Sequence, residues 1–381
     1  MLRICVLAHA LQWGGGVSVG KNLIASLAMV APNHSYFITI PAGFQYETIC
    51  EQFPECQTSV FTGGHSLVMR FVYESGRLFR EIRKFAPDVI LGLGNRCFPL
   101  VAKPQAVLIH NAFLWTRLLE ITKLLPIRKV IKVAMQQHIL KRDLRKIDLL
   151  LGQTHSAENH IRQLYKFKGS FMLCPNSVTC AFEEAGMNSV LADVLKVQRR
   201  KILFYPSAYY PHKNFEIIIS LFNQYKKQLE DYVAIFTLDV SQSRQAYSLL
   251  DKIIALGLKK QILNVGYLRQ TALPQYYKNS YALLMPTLLE SFSGAYLEAM
   301  KFGVPILTSD KDFSRETCGN AALYFDPTST ESIYLAIKQL EANREYQIQA
   351  GAEQIKKISM PWDQVAVNVV NALENIVRKT P

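Results

Sequence analysis

The chain has 381 residues, of which 49% are hydrophobic and 19% charged. This length allows two domains of ordinary size, and the low charged fraction excludes a disordered protein. The net charge of +13 is uneven, because residues 1–180 carry 21 Lys and Arg against 10 Asp and Glu. An excess of basic residues confined to the first half of the chain indicates that this half faces an anionic surface.

The cysteine spacing and the N-terminal residues indicate the cellular compartment of the protein and whether it binds a cofactor. Seven cysteines are scattered without CxxC spacing, which indicates neither a zinc site nor a disulfide framework and favours a reducing compartment. The first ten residues are too short for a signal peptide, and no apolar run approaches about 18 residues. We therefore expect a cytoplasmic protein, or one peripheral on the cytoplasmic face of a membrane, with neither a cofactor nor a bound metal.

The first half of the chain alternates strand-like and helix-like segments. It opens with a strand-like run at 2–8, and a glycine-rich loop at 14–16 leads into a helix from Ser18. Short apolar runs predict further strands at 36–40, 89–93, 106–109 and 149–151. Alternation of this kind predicts a parallel sheet covered on both faces.

A second series of the same kind follows a boundary segment at 177–200. Its predicted strands lie at 202–205, 233–238, 262–265, 282–285 and 304–307. An amphipathic helix at 362–378 ends the chain and is expected to join the first domain. The two series predict an α/β fold of two Rossmann-like domains, at 1–180 and 199–358, that face each other across a cleft.

The most informative segment is 286–305. A loop that holds Glu290 and Gly294 follows a buried strand and precedes a helix. A helix N-terminus binds phosphate through its free N–H groups, and Gly294 leaves room for a diphosphate. Glu298 falls in the predicted first helical turn, where its carboxylate can accept hydrogen bonds from two ribose hydroxyls. Glu290 precedes the helix and is placed to reach a second polyol.

These residues resemble the E-x7-E motif of the retaining GT-B glycosyltransferases of family 4, the glycosyl transferases of group 1. The resemblance continues through Glu298-Ala-Met-Lys-Phe-Gly-Val-Pro305 and through further segments at 175–178, 211–214, 306–310 and 321–327. It covers the second half of the chain well and the first half in outline.

The resemblance implies a hexosyltransferase that moves a sugar from a nucleotide diphosphate sugar to an acceptor hydroxyl, with retention and without a metal. Glu298 would hold the ribose, Glu290 the donor sugar and Lys213 the diphosphate. The predicted donor site also includes Ser293, Gly294 and Ala295 at the start of the helix. Tyr267 and Leu268 lie in a loop whose backbone would contact the nucleotide base. His212, the residue before the lysine, completes the site. The first domain would take a saccharide or lipid-linked saccharide acceptor, as in synthesis of bacterial O-antigen, capsule or exopolysaccharide.

One position departs from the family pattern. Five residues before Lys213, where the family usually has a second phosphate-binding arginine, this chain has Ala208. The phosphate charge would then be met by Lys213, the helix N-terminus and His212. The departure leaves a catalytically inactive GT-B scaffold as an alternative.

Two other motifs offer different chemistry. Gly15-Gly-Val-Ser-Val-Gly-Lys21 nearly matches a Walker A loop, but Asn22 replaces the hydroxyl residue that binds magnesium. A P-loop NTPase is therefore an alternative, whereas in the glycosyltransferase interpretation Gly15 and Gly16 line the cleft near the donor. Asp310-Lys-Asp312 has the form of a DxD metal motif, but a solvated loop is the favoured interpretation.

Two further features lie in the first half. His110 closes a strand and resembles the donor-side histidine of the family's N-terminal domain, although a core histidine is the alternative. Residues 117–146 hold nine Lys and Arg against two acids. The apolar residues of this segment fall on one predicted helix face, namely Ile127, Val130, Ile131, Ala134 and Met135. Such a helix either lies on an anionic membrane or packs on the core with a solvated basic face. No nucleic-acid-binding motif is present.

Overall fold

The computed structural model describes residues 1–12, 14–53, 56–178, 200–242 and 244–379. The chain divides into unit 1, Met1–Ser177 with Met360–Pro381, and unit 2, Val178–Ser359. The predicted boundary segment at 177–200 lies for the most part outside the described residues.

Unit 1 is built on a parallel sheet. Its described residues form seven strands, in the order β3-β2-β1-β4-β5-β6-β7. The strands are β1 (Arg3–Leu7), β2 (Ser35–Pro41), β3 (Cys56–Phe61), β4 (Val89–Gly92), β5 (Gln105–Ile109), β6 (Leu149–Gly152) and β7 (Ser170–Leu173). All neighbouring strands pair in parallel.

Helices cover both faces of this sheet. They are α1 (Gly14–Val30), α2 (Glu47–Cys50), α3 (Leu67–Tyr73), α4 (Phe79–Phe85), α5 (Leu118–Leu124), α6 (Ile127–Asp143), α7 (His155–Tyr165) and, from the end of the chain, α14 (Trp362–Lys379). Successive strand residues point to opposite faces, so Ile4 and Val6 lie in the core under α1 and α14, while Cys5 lies in the core under α4. This two-sided burial explains why β1 is almost entirely apolar.

The C-terminal helix α14 belongs to unit 1. Its apolar side, which includes Val365, Val369 and Leu373, is buried in the core that α1 covers. The Ser26 hydroxyl of α1 donates a hydrogen bond to the Asp363 carboxylate at 2.7 Å. The end of the chain therefore returns to the unit in which the chain begins.

Unit 2 repeats the architecture. Its described residues form six parallel strands in the order β10-β9-β8-β11-β12-β13. They are β8 (Lys201–Tyr205), β9 (Tyr232–Phe236), β10 (Ile262–Asn264), β11 (Ala282–Met285), β12 (Ile306–Ser309) and β13 (Ala322–Phe325). The helices are α8 (Phe215–Gln224), α9 (Arg244–Ala255), α10 (Leu273–Lys278), α11 (Gly294–Lys301), α12 (Asp312–Cys318) and α13 (Thr330–Ile358). The predicted α/β class with two Rossmann-like units is confirmed.

Candidate functional site

The strand order of unit 2 reverses between β8 and β11. These strands are neighbours in the sheet, yet the chain leaves β8 toward β9 and β10 and later returns to β11. In open parallel sheets, ligands bind beyond the carboxyl ends of the strands at such a switch point. The loop after β8 carries Lys213, and the loop after β11 carries Glu290. The sheet topology therefore brings two predicted site residues, 77 positions apart, to one edge.

Lys213 and Glu290 form an ion pair at this edge. The Lys213 ammonium donates a hydrogen bond to Glu290 Oε1. The side chains are only 14% and 11% exposed, respectively. Each charge is compensated by the other, so an anionic ligand of Lys213 would have to share the lysine with Glu290 or replace Glu290 as its partner.

Backbone and side-chain contacts fasten the two loops together. Leu288 N donates to His212 O at 2.7 Å, and the Thr287 hydroxyl is within 3.2 Å of the same oxygen. The Asn214 amide donates to Pro286 O at 3.1 Å, and Asn214 has a left-handed backbone with φ of 57°. The segment around Lys213 is thus held in one position relative to the start of the Glu290 loop.

Glu298 lies in the helix that follows this loop. It is the fifth residue of α11 and begins the second turn, so its predicted place in the first turn is wrong. The helix begins at Gly294, earlier than the spacing suggested. A Cβ added to Gly294 would stand 4.0 Å from Glu298 Oε1, because side chains on a helix lean toward its N-terminus. The carboxylate therefore still reaches back to the helix start.

The other oxygen of Glu298 is held by a buried tyrosine. Tyr277 OH, from α10, donates to Glu298 Oε2 at 2.8 Å. The Tyr277 ring is fully buried and stacks on Phe302. Burial raises the pKa of Glu298, although the hydrogen bond from Tyr277 acts in the opposite direction. The structure thus fixes one carboxylate oxygen and places the other beside the N-terminus of α11.

His212 lies next to Lys213 and is largely buried. Burial, followed by the nearby Lys213 charge, lowers the pKa of His212 to about 3. The imidazole is therefore neutral at neutral pH in this arrangement, and its part in meeting the phosphate charge stays a prediction. As a neutral ring, His212 remains a hydrogen-bonding group next to Lys213.

The start of α11 has the features of an anion site. Ser293 is the N-cap residue in an extended conformation, and Gly294 and Ala295 form the first helical positions. All three are partly exposed. Ala208 is exposed in the loop after β8, so the methyl group that stands in place of the family's arginine brings no charge to this edge of the sheet.

The predicted base-reading residues lie on a separate loop. Tyr267 and Leu268 follow β10, which is an edge strand of the sheet. Gly266 turns the chain there with φ of 75°. The Tyr267 side chain is 71% exposed, whereas Leu268 packs against the core of unit 2.

The glycine segment of unit 1 is helical. Helix α1 begins at Gly14, so the predicted loop at 14–16 with a helix from Ser18 is wrong. Lys21 is the eighth residue of this helix, and its ammonium lies 5.8 Å from the centre of the Tyr46 ring. A Walker A lysine follows a non-helical loop whose N–H groups surround the phosphates. The structure therefore contradicts the P-loop interpretation of Gly15–Lys21.

Close packing explains two of the glycines in α1. A Cβ on Gly16 would lie 2.8 Å from His110 Cε1, and a Cβ on Gly20 would lie 2.4 Å from the Leu11 side chain. Gly16 and Gly20 are about one helical turn apart, and both lie against Leu11. Gly15 has open space around it and is exposed.

His110 stands at the carboxyl end of β5. Its backbone N–H donates to Asn95 Oδ1 at 2.7 Å, and burial lowers the pKa of His110 to about 4. The ring is neutral at neutral pH and packs against Gly16. Gly15, Gly16 and His110 therefore lie together in unit 1, and their predicted roles stay predictions.

The DxD-like segment begins α12. Asp310 is paired with the Arg315 guanidinium through both carboxylate oxygens and is 47% exposed. Asp312 Oδ1 accepts a hydrogen bond from Phe313 N at 2.8 Å. Within the described ranges, no group of three or more His, Cys, Asp or Glu side chains is arranged to hold a metal ion.

The apolar stripe predicted at 117–146 is divided in the structure. Val130 is buried in the core, together with Val133. Ile127, Ile131 and Met135 are exposed by 67%, 55% and 59%. A single apolar face is therefore wrong, because α6 buries one side and presents a second apolar row, at every fourth position, among its exposed basic residues.

A family model matches most of unit 2. Residues 190–357 match the model described as "Glycosyl transferases group 1". The matched segment contains Lys213, Glu290 and Glu298.

Two curated relatives match part of the chain. An O-antigen chain mannosyltransferase, RfbU from Salmonella typhimurium, is 28% identical over 148 residues, which are 39% of this chain and 40% of that protein. An O-antigen chain mannosyltransferase B from Escherichia coli is 31% identical over 111 residues, 28% of this chain and 29% of that protein. The matches thus span less than half of either relative.

Solved structures share the fold over the whole chain. A glycosyltransferase from Rickettsia africae is 12% identical with a TM-score of 0.73 and covers 100% of this chain and 99% of its own. Anabaena HepE, in complex with UDP and glucose, is 14% identical with a TM-score of 0.71, and the match covers 98% of this chain and 100% of the HepE chain. The chain therefore has the GT-B fold of these structures.

Three residues that hold the site were not found from the sequence. Tyr277 holds Glu298, while Thr287 and Asn214 connect the two loops. Asn214 lies beside Lys213 and Thr287 lies three residues before Glu290, so both stand in the segments that resemble the family. Tyr277 is 21 residues from Glu298, and no local pattern points to it.

Proposed function

We propose that the protein is a glycosyltransferase that moves a sugar from a nucleotide diphosphate sugar to an acceptor hydroxyl in surface polysaccharide synthesis. The O-antigen mannosyltransferase relatives favour a mannosyl donor as the first to be tested. We also propose that the reaction retains the anomeric configuration, as in the family 4 enzymes that the motif resembles. The acceptor is a saccharide or a lipid-linked saccharide.

One observation carries this proposal. Lys213 and Glu290 meet at the switch point of the unit 2 sheet, the Glu290 loop leads into the N-terminus of α11, and Glu298 reaches back to that helix start. A diphosphate at this point would face the lysine and the helix N–H groups, while the carboxylates have the chemistry to accept hydrogen bonds from sugar hydroxyls. The protein would then contribute orientation of the donor and stabilisation of charge on the leaving diphosphate.

The proposal predicts selective stabilisation by a nucleotide sugar. A ligand at a hundredfold excess over its Kd stabilises a protein by about 2.7 kcal/mol. We expect the Tm to rise with one donor from a panel of mannose and glucose carried on uracil and guanine nucleotides. ATP with magnesium is the comparison, and stabilisation by ATP alone would contradict the proposal. Donor binding without transfer to any acceptor would identify an inactive scaffold.

We propose that transfer does not require a divalent cation. Phosphate charge would be met by Lys213 and the start of α11, and the Asp310 carboxylate is already engaged by Arg315. Activity is therefore expected to survive EDTA. Loss of activity in EDTA, with recovery on addition of manganese, would overturn this expectation. Asp310 and Asp312 would then be the candidate metal ligands.

We propose that unit 1 attaches to an anionic membrane surface through residues 117–146. In this segment the exposed row of Ile127, Ile131 and Met135 stands among lysines and arginines. This arrangement suits a helix that lies in the headgroup region. None of the described helices is long and apolar enough to cross a bilayer.

This attachment should depend on lipid charge and on salt. We expect the protein to float with vesicles that contain phosphatidylglycerol at low salt and to be released as the salt concentration rises. The triple replacement of Arg128, Lys129 and Lys132 by Glu should abolish flotation without lowering the Tm, since all three are exposed. Equal binding to neutral vesicles would contradict an electrostatic attachment.

A further inference from the structure

Helix α3 of unit 1 presents an apolar surface to solvent. Five of its seven residues are large hydrophobic side chains that are 52% to 71% exposed. These residues, the α3 surface, are Leu67, Val68, Met69, Phe71 and Val72. Scattered exposed hydrophobic residues are ordinary, but a contiguous group of this kind marks an interaction site.

The helix is held in this exposed position by polar contacts on its inner side. The Ser66 hydroxyl caps its first turn. Arg70 Nε donates to Glu74 Oε1 at 2.6 Å, and the same carboxylate contacts His9 Nε2 at 3.0 Å, at the end of β1. Tyr73 OH donates to the Ser59 hydroxyl of β3 at 2.8 Å. Because these contacts fix the inner side, the apolar residues cannot turn inward without breaking them.

Charge around the helix favours an anionic partner. Residues 62–73 contain no Asp or Glu. The acids that follow are both paired with arginines, Glu74 with Arg70 and Glu81 with Arg77. Three exposed basic residues on α4 remain beyond these pairs, namely Arg80, Arg83 and Lys84. An apolar surface that is followed along the chain by exposed basic side chains matches acyl chains beneath anionic headgroups.

We propose that α3 inserts its apolar surface into the acyl region of an anionic bilayer. This inference rests on the proposed attachment of unit 1 to a membrane, but it assigns a different role to a different element. Residues 117–146 provide charge attraction, which salt weakens. The α3 surface provides apolar burial, which salt does not weaken.

Insertion can be measured with a tryptophan placed in α3. We would compare Phe71→Trp with Tyr346→Trp, since Tyr346 of unit 2 is 59% exposed and Phe71 69%. Both proteins are tethered by a histidine tag to vesicles of phosphatidylglycerol and phosphatidylcholine that contain nickel-chelating lipid and brominated acyl chains. The added emission of Phe71→Trp should be quenched, and that of Tyr346→Trp should not. No quenching of the tethered Phe71→Trp protein would overturn the proposal.

The tether separates this proposal from the proposed attachment. Flotation of the untethered protein tests residues 117–146, whereas quenching in the tethered protein tests α3 whatever the result of flotation. A second measurement uses Phe71→Ser with Val72→Ser, which should lower partition into vesicles at high salt by about tenfold or more. Leu335→Ser, at a position 57% exposed in unit 2, is the matched control and should partition like the wild type. If the α3 substitutions instead turn a dimer into a monomer and leave partition unchanged, the surface binds a second copy of the chain and the proposal is wrong.

Discussion

Replacing Lys213 with alanine is expected to lower kcat by about 100-fold to 1000-fold, the loss found when one preorganised donor to a developing negative charge is removed. The ammonium stands at the switch point with its charge compensated by Glu290. Negative charge on the leaving diphosphate grows toward the transition state, so the interaction strengthens there and its loss lowers turnover more than donor affinity. Ala208 brings no second cation to compensate. The measurement is kcat together with donor Kd from calorimetry.

A double substitution separates this effect from a loss of stability. Lys213→Ala leaves the Glu290 carboxylate largely buried without its partner, which destabilises the protein. Adding Glu290→Gln removes that charge, so the Tm should recover while kcat stays well below that of the Glu290→Gln variant alone. Lys259→Ala, at an exposed position of unit 2, should leave both quantities unchanged. If the double variant regained turnover with its stability, Lys213 would be structural rather than a group that stabilises the diphosphate.

Glu290→Ala should show a different pattern if this carboxylate contacts the donor sugar. We expect discrimination between donor sugars to fall, because the hydrogen bonds lost are those to the sugar hydroxyls. The ratio of kcat/KM for mannosyl and glucosyl donors measures this discrimination. An unchanged ratio in Glu290→Ala would limit Glu290 to pairing with Lys213.

Glu298→Ala is expected to weaken donor binding by about tenfold to a hundredfold, since a hydrogen bond to a charged group contributes about 1.5–3 kcal/mol. Tyr277 fixes one carboxylate oxygen, and the other faces the start of α11. Two ribose hydroxyls would lose their charged acceptor. Calorimetry with the nucleotide diphosphate alone should show the loss, because the ribose belongs to the nucleotide. If neither Glu298→Ala nor Lys213→Ala changed nucleotide affinity, the donor site would lie elsewhere.

The raised pKa of Glu298 supplies a control for folding. A carboxyl group whose pKa is higher in the folded state binds more protons there, so the free energy of unfolding falls as the pH rises through that raised pKa. Glu298→Gln removes this titration and keeps the side-chain size. It should therefore not lower the Tm at neutral pH, although it weakens donor binding. Glu345→Gln, at an exposed position, should change neither property.

The amino-acid sequence by itself determined the two parallel sheets. Strands buried on both faces must be apolar at almost every position, and the runs at 2–8, 36–40 and 282–285 carry that signal. The three strands that the pattern missed are β3, β7 and β13, and each is an edge strand of its sheet. β3 and β7 are only partly buried, and β3 keeps Gln57 and Thr58 exposed and gives no continuous apolar run.

The sequence also determined most of the candidate site residues but not their arrangement. The spacing of Glu290, Gly294 and Glu298 is local, because a strand, a loop and a helix follow one another along the chain. The contact of Lys213 with Glu290 required β8 and β11 to be neighbours, and the contact of Tyr277 with Glu298 required α10 to pack beside α11.

Only the tertiary structure decided which interpretation of an ambiguous segment holds. Gly15–Lys21 reads as a phosphate loop until packing of Gly16 against His110 and of Gly20 against Leu11 places these glycines inside a helix. In Leu67–Tyr73 the polar contacts of Arg70 and Tyr73 face the protein, so the apolar residues of this helix face solvent. Burial and contact between distant residues depend on how elements pack, and that information is not contained in any single stretch of the chain.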